Sequence, residues 1–357
     1  MPDNTITRYF LGANSAQGFY SLYDCFAKPE DGVFLYVIKG GPGCGKSSFM
    51  KRIGARADCA GLDVEYIHCS GDPASLDAVL IPELGVAYAD GTAPHVLDPP
   101  FPAAGGAYLD LGSFYNTAAL RPKLESIISL NRRYKAMYAE SYALLSAAGS
   151  VTRRPSSDLI TEEAVLAARR RARSLMGREL GRGSGSGHAD RRFISAISCE
   201  GSVFLDSTVS ELCPRVCELD NELGIAQDYL DECLACALAR GCGVIVCPDC
   251  LTPEKTQALL IPEAGLALLC VNRRCRWQGE VYRHVRLDAL ADAEALRRAR
   301  PSLRTAEKLR SVLTAEAEKK LAGAKALHDE LEGVYNPHVD FDGVYALVEK
   351  HAEALGI

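Results

Sequence analysis

Short apolar runs recur along the first part of the chain and have the length of buried β-strands. The run at residues 34–38 combines β-branched, aromatic and other apolar side chains, as a strand buried on both faces does. Further runs that predict strands lie at 8–15, 64–69 and 85–89. Because stretches with a different period separate the runs, the pattern indicates strands that are connected by helices.

Amphipathic stretches lie between and after these runs. Residues 48–57 have helical spacing and end near Gly61, and residues 118–148 keep the same periodicity over a longer stretch. Helices are also predicted from about residue 18 to residue 26 and at 161–180. This alternation predicts an α/β fold with a mostly parallel sheet, flanking helices and ligands at the carboxyl edge of the strands.

The second part of the chain repeats the first. Residues 191–201 match residues 8–18 at five of eleven positions, with an offset of 183, and residues 260–267 repeat residues 80–87 with an offset of 180. The period is far longer than that of a solenoid, so it indicates a duplicated domain. The predicted organisation is a first domain at 1–150, an arginine-rich helix and Gly/Ser linker at 151–190, and a second copy with a helical tail at 191–357.

Residues 40–47, Gly-Gly-Pro-Gly-Cys-Gly-Lys-Ser, lie directly between the predicted strand at 34–38 and the predicted helix at 48–57. They fit the phosphate-binding pattern G-x-x-x-x-G-K-[ST]. Glycines allow backbone N–H groups to surround phosphate oxygens, while Lys46 supplies a cation for the β- and γ-phosphates and Ser47 a hydroxyl ligand for Mg²⁺. The sequence therefore predicts that a nucleoside triphosphate, with ATP the expected one, binds Gly40, Gly41, Pro42, Gly43, Cys44, Gly45, Lys46, Ser47 and Ser48.

The second copy lacks the corresponding chemistry. With the 180-residue offset, Lys46 and Ser47 correspond to Ala226 and Gln227; a shift of one residue aligns Gly224 with Gly45 but supplies neither the cation nor the hydroxyl. The second phosphate loop is therefore interpreted as degenerate, and each chain is expected to bind one triphosphate.

The same comparison sorts the acidic residues. Asp72, Asp77 and Asp90 become Thr252, Gln257 and Cys270 in the second copy, whereas Glu83 has a counterpart in Glu263. Asp90 ranks first because it ends an apolar strand, where an acid can hold Mg²⁺ or its water; Asp72 follows it. Both positions are also typical of a turn or helix-cap aspartate.

The predicted catalytic residues are Lys46, Asp90 and Asp72, and the predicted metal ligands are Ser47 and Asp90. Glu83 is assigned to architecture. His95 is a candidate sensor of the γ-phosphate, or an inert loop histidine.

Several of these segments resemble a bacterial family of uncharacterised P-loop ATPases, each built from two related P-loop halves. The resemblance covers nearly the whole chain and depends on residues 8–13, 38–47, 70–73, 81–83 and 90–95. It implies an ATP-binding P-loop fold without a defined substrate. The second half of such proteins can also carry a phosphate loop, so the degenerate loop here argues against a mechanism with two sites.

Composition limits the cellular setting and the partners. The 357 residues carry a formal net charge of −6, which argues against a surface that binds nucleic acid over its whole extent. The N-terminal residues lack the pattern of a signal peptide, and no apolar run has membrane-spanning length. A cytoplasmic location without membrane association is predicted, and the 14 cysteines are expected to be thiols or metal ligands.

Two further clusters have both a functional and an ordinary interpretation. Cys233/Cys236 and Cys247/Cys250 have the C-x-x-C spacing of a structural zinc site, although buried cysteines also serve as small apolar residues. The arginine-rich helix contains Arg169, Arg170, Arg171, Arg173 and Arg178. It is either a phosphate or nucleic-acid contact, including an arginine finger, or a solvated helix.

The sequence thus favours a Mg²⁺-dependent ATPase whose hydrolysis drives a conformational or partner-binding change. One alternative is a kinase, with Arg153 and Arg154 as parts of a lid over the acceptor; another is a nucleotide-binding regulator with little turnover. The second copy is expected to pack against the first as a pseudo-symmetric partner, and either to bury the nucleotide or to supply an arginine, with Arg273, Arg274 and Arg276 as the candidates.

Overall fold

The computed structural model describes residues 4–93, 97–151, 159–181, 183, 185–272 and 275–357. The predictions made for His95, Arg153, Arg154, Arg273 and Arg274 lie outside these described residues. All other residues singled out from the sequence lie within them.

Six strands of the first half form a mixed, mostly parallel sheet. The strands of this half are β1 (Ile6–Phe10), β2 (Gly12–Ser15), β3 (Gly18–Ser21), β4 (Phe34–Lys39), β5 (Val64–His68), β6 (Leu76–Ile81), β7 (Val86–Asp90) and β8 (Gly106–Asp110). The sheet has the order β1-β5-β6-β7-β4-β8, in which β6 is antiparallel to both neighbours and the other pairs are parallel. The remaining two strands, β2 and β3, form an antiparallel hairpin.

The second half repeats this arrangement strand for strand. Its strands are β9 (Ala189–Arg191), β10 (Ser195–Ser198), β11 (Gly201–Phe204), β12 (Arg215–Leu219), β13 (Val244–Pro248), β14 (Thr256–Ile261), β15 (Leu266–Cys270) and β16 (Arg283–Val285). The sheet order is β9-β13-β14-β15-β12-β16, with β14 as the antiparallel strand, and β10 pairs with β11 as a hairpin. The predicted α/β class and internal duplication are therefore confirmed.

Two local predictions in the first half are wrong, and two strands were not predicted. Residues 8–15 form two strands rather than one, because the backbone of Phe10 pairs with Phe193 and the chain then enters the β2–β3 hairpin. The helix predicted from residue 18 is strand β3 followed by a short 3₁₀ turn at Tyr23–Cys25, since Gly18, at φ +92°, sits in the hairpin turn. Strands β6 and β8 were not predicted.

Helices flank both sheets. They are α1 (Lys46–Cys59), α2 (Thr117–Leu120), α3 (Leu124–Val151), α4 (Glu162–Glu179), α5 (Asp206–Leu212), α6 (Ala226–Leu238), α7 (Ala293–Tyr335) and α8 (Phe341–Leu355). The long helices α3 and α7 pack together, while the last helix, α8, packs against α1 of the first half, sharing one apolar cluster with it. Within the described parts of the chain, no helix is both long enough and apolar enough to cross a membrane.

The two halves share one apolar core. Phe10 and Phe193, which the 183-residue repeat places in equivalent positions, exchange backbone hydrogen bonds of 2.9 Å in both directions. Beside them, Nε of Arg192 lies 2.6 Å from Oε1 of Glu65, and both side chains are mostly buried. Apolar residues from both halves form a single contiguous cluster around this junction. Each half therefore covers apolar surface that the other would otherwise expose.

Candidate functional site

The glycine loop, residues 40–47, joins β4 to α1. Gly43 and Gly45 have φ angles of +70° and +89°, a region in which a residue with a Cβ atom is strained, and Gly45 is the N-cap of α1. Among the described residues, no acceptor is found for the backbone N–H groups of Gly43, Gly45, Lys46 and Ser47. A left-handed turn before a helix N-terminus thus brings together unpaired donors, as an anion-binding loop requires.

The side chain of Lys46 lies within this loop. Its Nζ donates hydrogen bonds to the carbonyl oxygens of Gly40, at 2.8 Å, and Gly41, at 2.9 Å, and lies 3.6 Å from Oδ2 of Asp90. Only 13% of the Lys46 side chain and 15% of the Asp90 side chain are exposed. A phosphate group in the loop would compete with the two carbonyls for the same ammonium group.

Asp90 reaches the loop because its strand pairs directly with the strand that leads into the loop. Strands β4 and β7 are parallel, and Ile38 lies opposite Asp90. One carboxylate oxygen, Oδ1, accepts from N and Oγ1 of Thr92, while Oδ2 faces Lys46. Burial raises the pKa of the Asp90 carboxyl, and the Lys46 ammonium acts in the opposite direction. One oxygen of the Asp90 side chain therefore stabilises the turn at Thr92, and the other faces Lys46.

A second buried acid, Asp77, lies beside Asp90. In the antiparallel pair of β6 and β7, Ala78 is opposite Ala89, so the next positions along the pair are Asp77 and Asp90. Their proximity is also a cause of the raised pKa of Asp90. The sequence comparison noted that Asp77 is replaced in the second copy but did not rank it, because strand β6 was missed. The signal that the sequence offered for Asp77 was its replacement by Gln257 in the second copy.

Ser47 connects the loop to β6. Its Oγ accepts a hydrogen bond of 2.9 Å from N of Leu76, the first residue of β6 and the neighbour of Asp77. A serine hydroxyl has two lone pairs, so one remains available for a cation.

Two other side chains predicted to line the loop differ in exposure. Ser48 is exposed in the first turn of α1. The Cys44 thiol is buried, and burial raises its pKa.

The C-terminal part of the chain contacts the loop, which the sequence did not predict. The amide nitrogen of Asn336, in the orientation that satisfies its partners, lies 3.0 Å from the carbonyl oxygen of Gly43. The Tyr115 hydroxyl donates to the carbonyl oxygen of Pro42 at 2.7 Å, and its ring packs against Tyr335. The end of α7 and the following turn are thus hydrogen-bonded to the backbone of the glycine loop.

Asp72 does not lie beside the Lys46–Asp90 ion pair. Its Oδ2 accepts from Oγ of Ser75 at 2.8 Å and lies 3.5 Å from Nζ of Lys325 on α7, while Cys199 and Glu200 of the second half are close by. These contacts are those of a turn aspartate at the junction between the halves. They give no direct support to the prediction that Asp72 is catalytic.

Glu83 has the architectural contact expected of it. Its Oε1 accepts from N of Asp63 at 2.9 Å, and Glu263 accepts from N of Gly243 in the second half. Each glutamate ties the turn before one strand to the turn after another, so the pair is part of the duplicated framework.

The second half keeps the framework of the site and replaces its chemistry. N of Thr256 donates to Oε1 of Gln227 at 2.8 Å, as Leu76 does to Ser47 with the 180-residue offset. Cys270 and Gln257 occupy the strand positions of Asp90 and Asp77, and Gln257 accepts from the Ser195 hydroxyl. The cation, the Ser47 hydroxyl and both carboxylates of the first half thus have neutral counterparts.

The other candidates from the sequence lie elsewhere. Among the described residues, the two C-x-x-C pairs do not converge: Cys233 packs with the helices on one face of the second sheet, and Cys247 and Cys250 belong to the core on the other face. On α4, Arg169 and Arg173 form ion pairs with Asp228 and Glu232 of α6, as expected of a solvated helix. Arg276 lines a cleft in the second half.

Comparison with known proteins adds nothing to this site. No protein-family model matches the chain, and neither a curated protein nor a solved structure does. Its interpretation therefore depends on the geometry of the glycine loop, Lys46 and the two buried aspartates.

Proposed function

We propose that the glycine loop binds a nucleoside triphosphate with Mg²⁺ and that the protein hydrolyses it. The observation that carries this proposal is the position of Lys46, whose Nζ lies 3.6 Å from Oδ2 of Asp90 beside a loop of unpaired N–H groups. The N–H groups and the ammonium supply the donors that a triphosphate needs, and the carboxylate marks the side on which a metal would sit. In this proposal the protein is a P-loop NTPase, with ATP as the expected nucleotide.

The donor atoms fit Mg²⁺, which prefers oxygen ligands and keeps several of its waters. The Ser47 hydroxyl has a free lone pair, and the Asp90 carboxylate faces the adjacent Lys46; Asp77 is the second carboxylate at this strand edge. Bound Mg²⁺ would neutralise charge that develops on the β- and γ-phosphate oxygens. It would also compensate the negative charge of two adjacent carboxylates.

The reaction proposed is attack of water on the γ-phosphorus. The new P–O bond forms as the bond from that phosphorus to the β,γ-bridging oxygen breaks, so the diphosphate leaves with the electron pair and the water proton passes to solvent or phosphate. Lys46 would stabilise charge on the leaving group, and the N–H groups of the loop would fix the phosphates. Asp90 would position the water, either directly or through the metal.

The contacts of the loop suggest how hydrolysis would be coupled to a conformational change. Gly43 and Pro42 are hydrogen-bonded to Asn336 and Tyr115, and Asn336 directly follows the 43-residue helix α7. A shift of the loop on phosphate binding would therefore be transmitted to α7 and to α3, which packs along it. The moving element proposed here is the α3–α7 pair.

Phosphate release from Mg²⁺-ATP, measured for the full chain and for Lys46→Ala, tests the proposal. Release without any acceptor, lost in Lys46→Ala but retained in Lys51→Ala, is the expected result, because Lys51 lies on the same helix and bonds only Ala74 among the described residues. Product that appears only with an added acceptor would indicate a kinase. Tight binding without turnover would indicate a nucleotide-binding regulator.

A further inference from the structure

A large cleft lies in the second half, where the glycine-loop site lies in the first. It has a volume of about 1380 Å³ and is lined by the carboxyl ends of the second sheet and by the first turns of α7. Gly224, Gln257 and Cys270, which line it, correspond to Gly45, Asp77 and Asp90 of the first half. The degenerate copy has therefore lost the residues that hold a triphosphate and its metal, but it retains an open site at the same edge of the sheet.

The walls of this cleft carry cations that lack ion-pair partners. Within the described ranges, no carboxylate lies within ion-pair distance of Lys255, Arg276, Arg300, Arg304 or Lys308. Three of them recur every fourth residue along α7, so they form one stripe on the face of the helix that borders the cleft. Lys255 and Arg276 come from loops that follow the strands.

Most acidic side chains of the cleft have an ion-pair or hydrogen-bond partner. Oε2 of Glu218 lies 3.1 Å from Nδ1 of His284, and Glu307 pairs with Arg310 one turn away. Asp249 accepts from the backbone and hydroxyl of Thr252 as a turn aspartate. The lining carries six cationic side chains against four carboxylates, including Glu222, so the cleft has a net positive charge that an anion would satisfy.

We propose that this cleft binds a small molecule carrying two or more phosphate groups, and that it does so without a metal ion. Guanidinium groups bind phosphate oxygens in a bidentate manner, and the spacing of Arg300, Arg304 and Lys308 along α7 presents separate contacts. The cleft has no counterpart of the metal ligands proposed for the first site, since Gln227 and Cys270 replace the hydroxyl and the carboxylate. The volume lies somewhat above the range usual for small-molecule sites, which suits a charged ligand accompanied by water.

A single-stranded nucleic acid fits the cleft less well. Its recognition requires exposed aromatic faces on which bases stack. Trp277, the aromatic residue of the lining, is half-buried, donates Nε1–H to the carbonyl oxygen of Glu280 and has its ring beside Gly279. The net charge of −6 also opposes long-range attraction of a polyanionic strand.

The test titrates inorganic tripolyphosphate into the full chain in the presence of a metal chelator, by calorimetry, with Lys46→Ala as the background. That substitution removes the cation of the glycine loop, and the chelator removes the metal, so strong binding at the first site does not contribute to the measurement. Binding is expected, and Arg300→Gln/Arg304→Gln should weaken it at least about tenfold. The control Arg298→Gln/Lys319→Gln removes two exposed cations of the same helix that do not line the cleft, and should change the affinity less than about twofold.

Three results would overturn the proposal. One is the absence of tripolyphosphate binding in the Lys46→Ala background. Another is an equal loss in both double variants, which would indicate a diffuse charge effect. The last is tighter binding of a single-stranded oligonucleotide that Arg300→Gln/Arg304→Gln abolishes, because it would assign the cleft to nucleic acid. Thermal unfolding of each variant confirms that the fold is intact; the side chains changed in the two double variants are all exposed.

Discussion

Asn336 and Gly43 are in contact although they come from opposite ends of the chain. The amide nitrogen of Asn336 lies 3.0 Å from the carbonyl oxygen of Gly43, and a Cβ atom added to Gly43 would lie 2.2 Å from the terminal amide of Asn336. The glycine is thus required both by its φ of +70° and by the closeness of the C-terminal segment. The loop cannot be considered apart from that segment.

Gly43→Ala should lower nucleotide affinity and the melting temperature, because it adds left-handed strain and displaces Asn336. The strain alone costs about 1–2 kcal/mol of unfolding free energy. Adding Asn336→Ala should relieve the steric clash but not the backbone strain. The melting temperature of the double variant should therefore be higher than that of Gly43→Ala and lower than that of Asn336→Ala. Purely additive effects, measured by thermal unfolding, would show that the two residues are not coupled.

Lys46→Ala should reduce the affinity for a non-hydrolysable Mg²⁺-ATP analogue by about tenfold to a hundredfold, because it removes a charge-assisted contact to the phosphates. The glycine backbone is left intact. Calorimetry on the folded variant measures the effect, with Lys51→Ala as the matched control on α1. Unchanged affinity, or two equivalent Mg²⁺-dependent sites per chain, would contradict the assignment of a single site.

Asp90→Asn should spare nucleotide binding but lower Mg²⁺-dependent hydrolysis by about a hundredfold or more, if the carboxylate positions the metal or its water. Steady-state phosphate release measures this loss. Among the described residues, Glu83→Ala removes only the side-chain hydrogen bond to Asp63, so it should lower the melting temperature slightly and leave the rate unchanged. Asp72→Asn should resemble Glu83→Ala, given its contacts with Ser75 and Lys325; a loss of hydrolysis there would restore Asp72 as a catalytic residue.

The same Asp90→Asn variant should be more stable than the wild type at pH 7. Burial raises the pKa of Asp90 above its unfolded value of about 3.9, so the ionised carboxylate lowers the free energy of unfolding at neutral pH. Below the unfolded pKa the side chain is protonated in both states, and the difference between variant and wild type should disappear. Melting temperatures between pH 3 and 7 test the prediction, with the exposed Asp98→Asn as control; a difference that grows on acidification would contradict it.

A fragment of residues 1–150 should be poorly soluble and weakly active. It lacks α8, whose Val344, Val348 and Ala352 are buried against α1, and it exposes the core that Phe10 shares with Phe193. Light scattering and nucleotide titration of the fragment beside the full chain provide the comparison. A monomeric, fully active fragment would mean that the first half does not need the rest of the chain.

The duplication and the framework of the first site were readable from the sequence because they depend on local chemistry. A glycine pattern before Lys46 and Ser47 requires a tight turn at a helix N-terminus, and an apolar run before it predicts the strand. Comparison of the halves predicted which residues had changed, and the offset of 180 residues recurs in the hydrogen bonds of Ser47 and Gln227. The prediction that Asp90 ends a strand placed it at the edge of the sheet where the glycine loop lies, and β7 does end there.

Long-range pairing decided the rest. The antiparallel insertion of β6 set Asp77 beside Asp90, and no local pattern distinguishes an antiparallel buried strand from a parallel one. Contacts between distant segments placed Asn336 at the glycine loop, turned Asp72 towards α7 and aligned Arg300 and Arg304 along a cleft in the second half. Sequence determines which side chains are available and how each short segment folds. Which of them meet depends on the shared burial of apolar surface between segments that lie far apart in the chain.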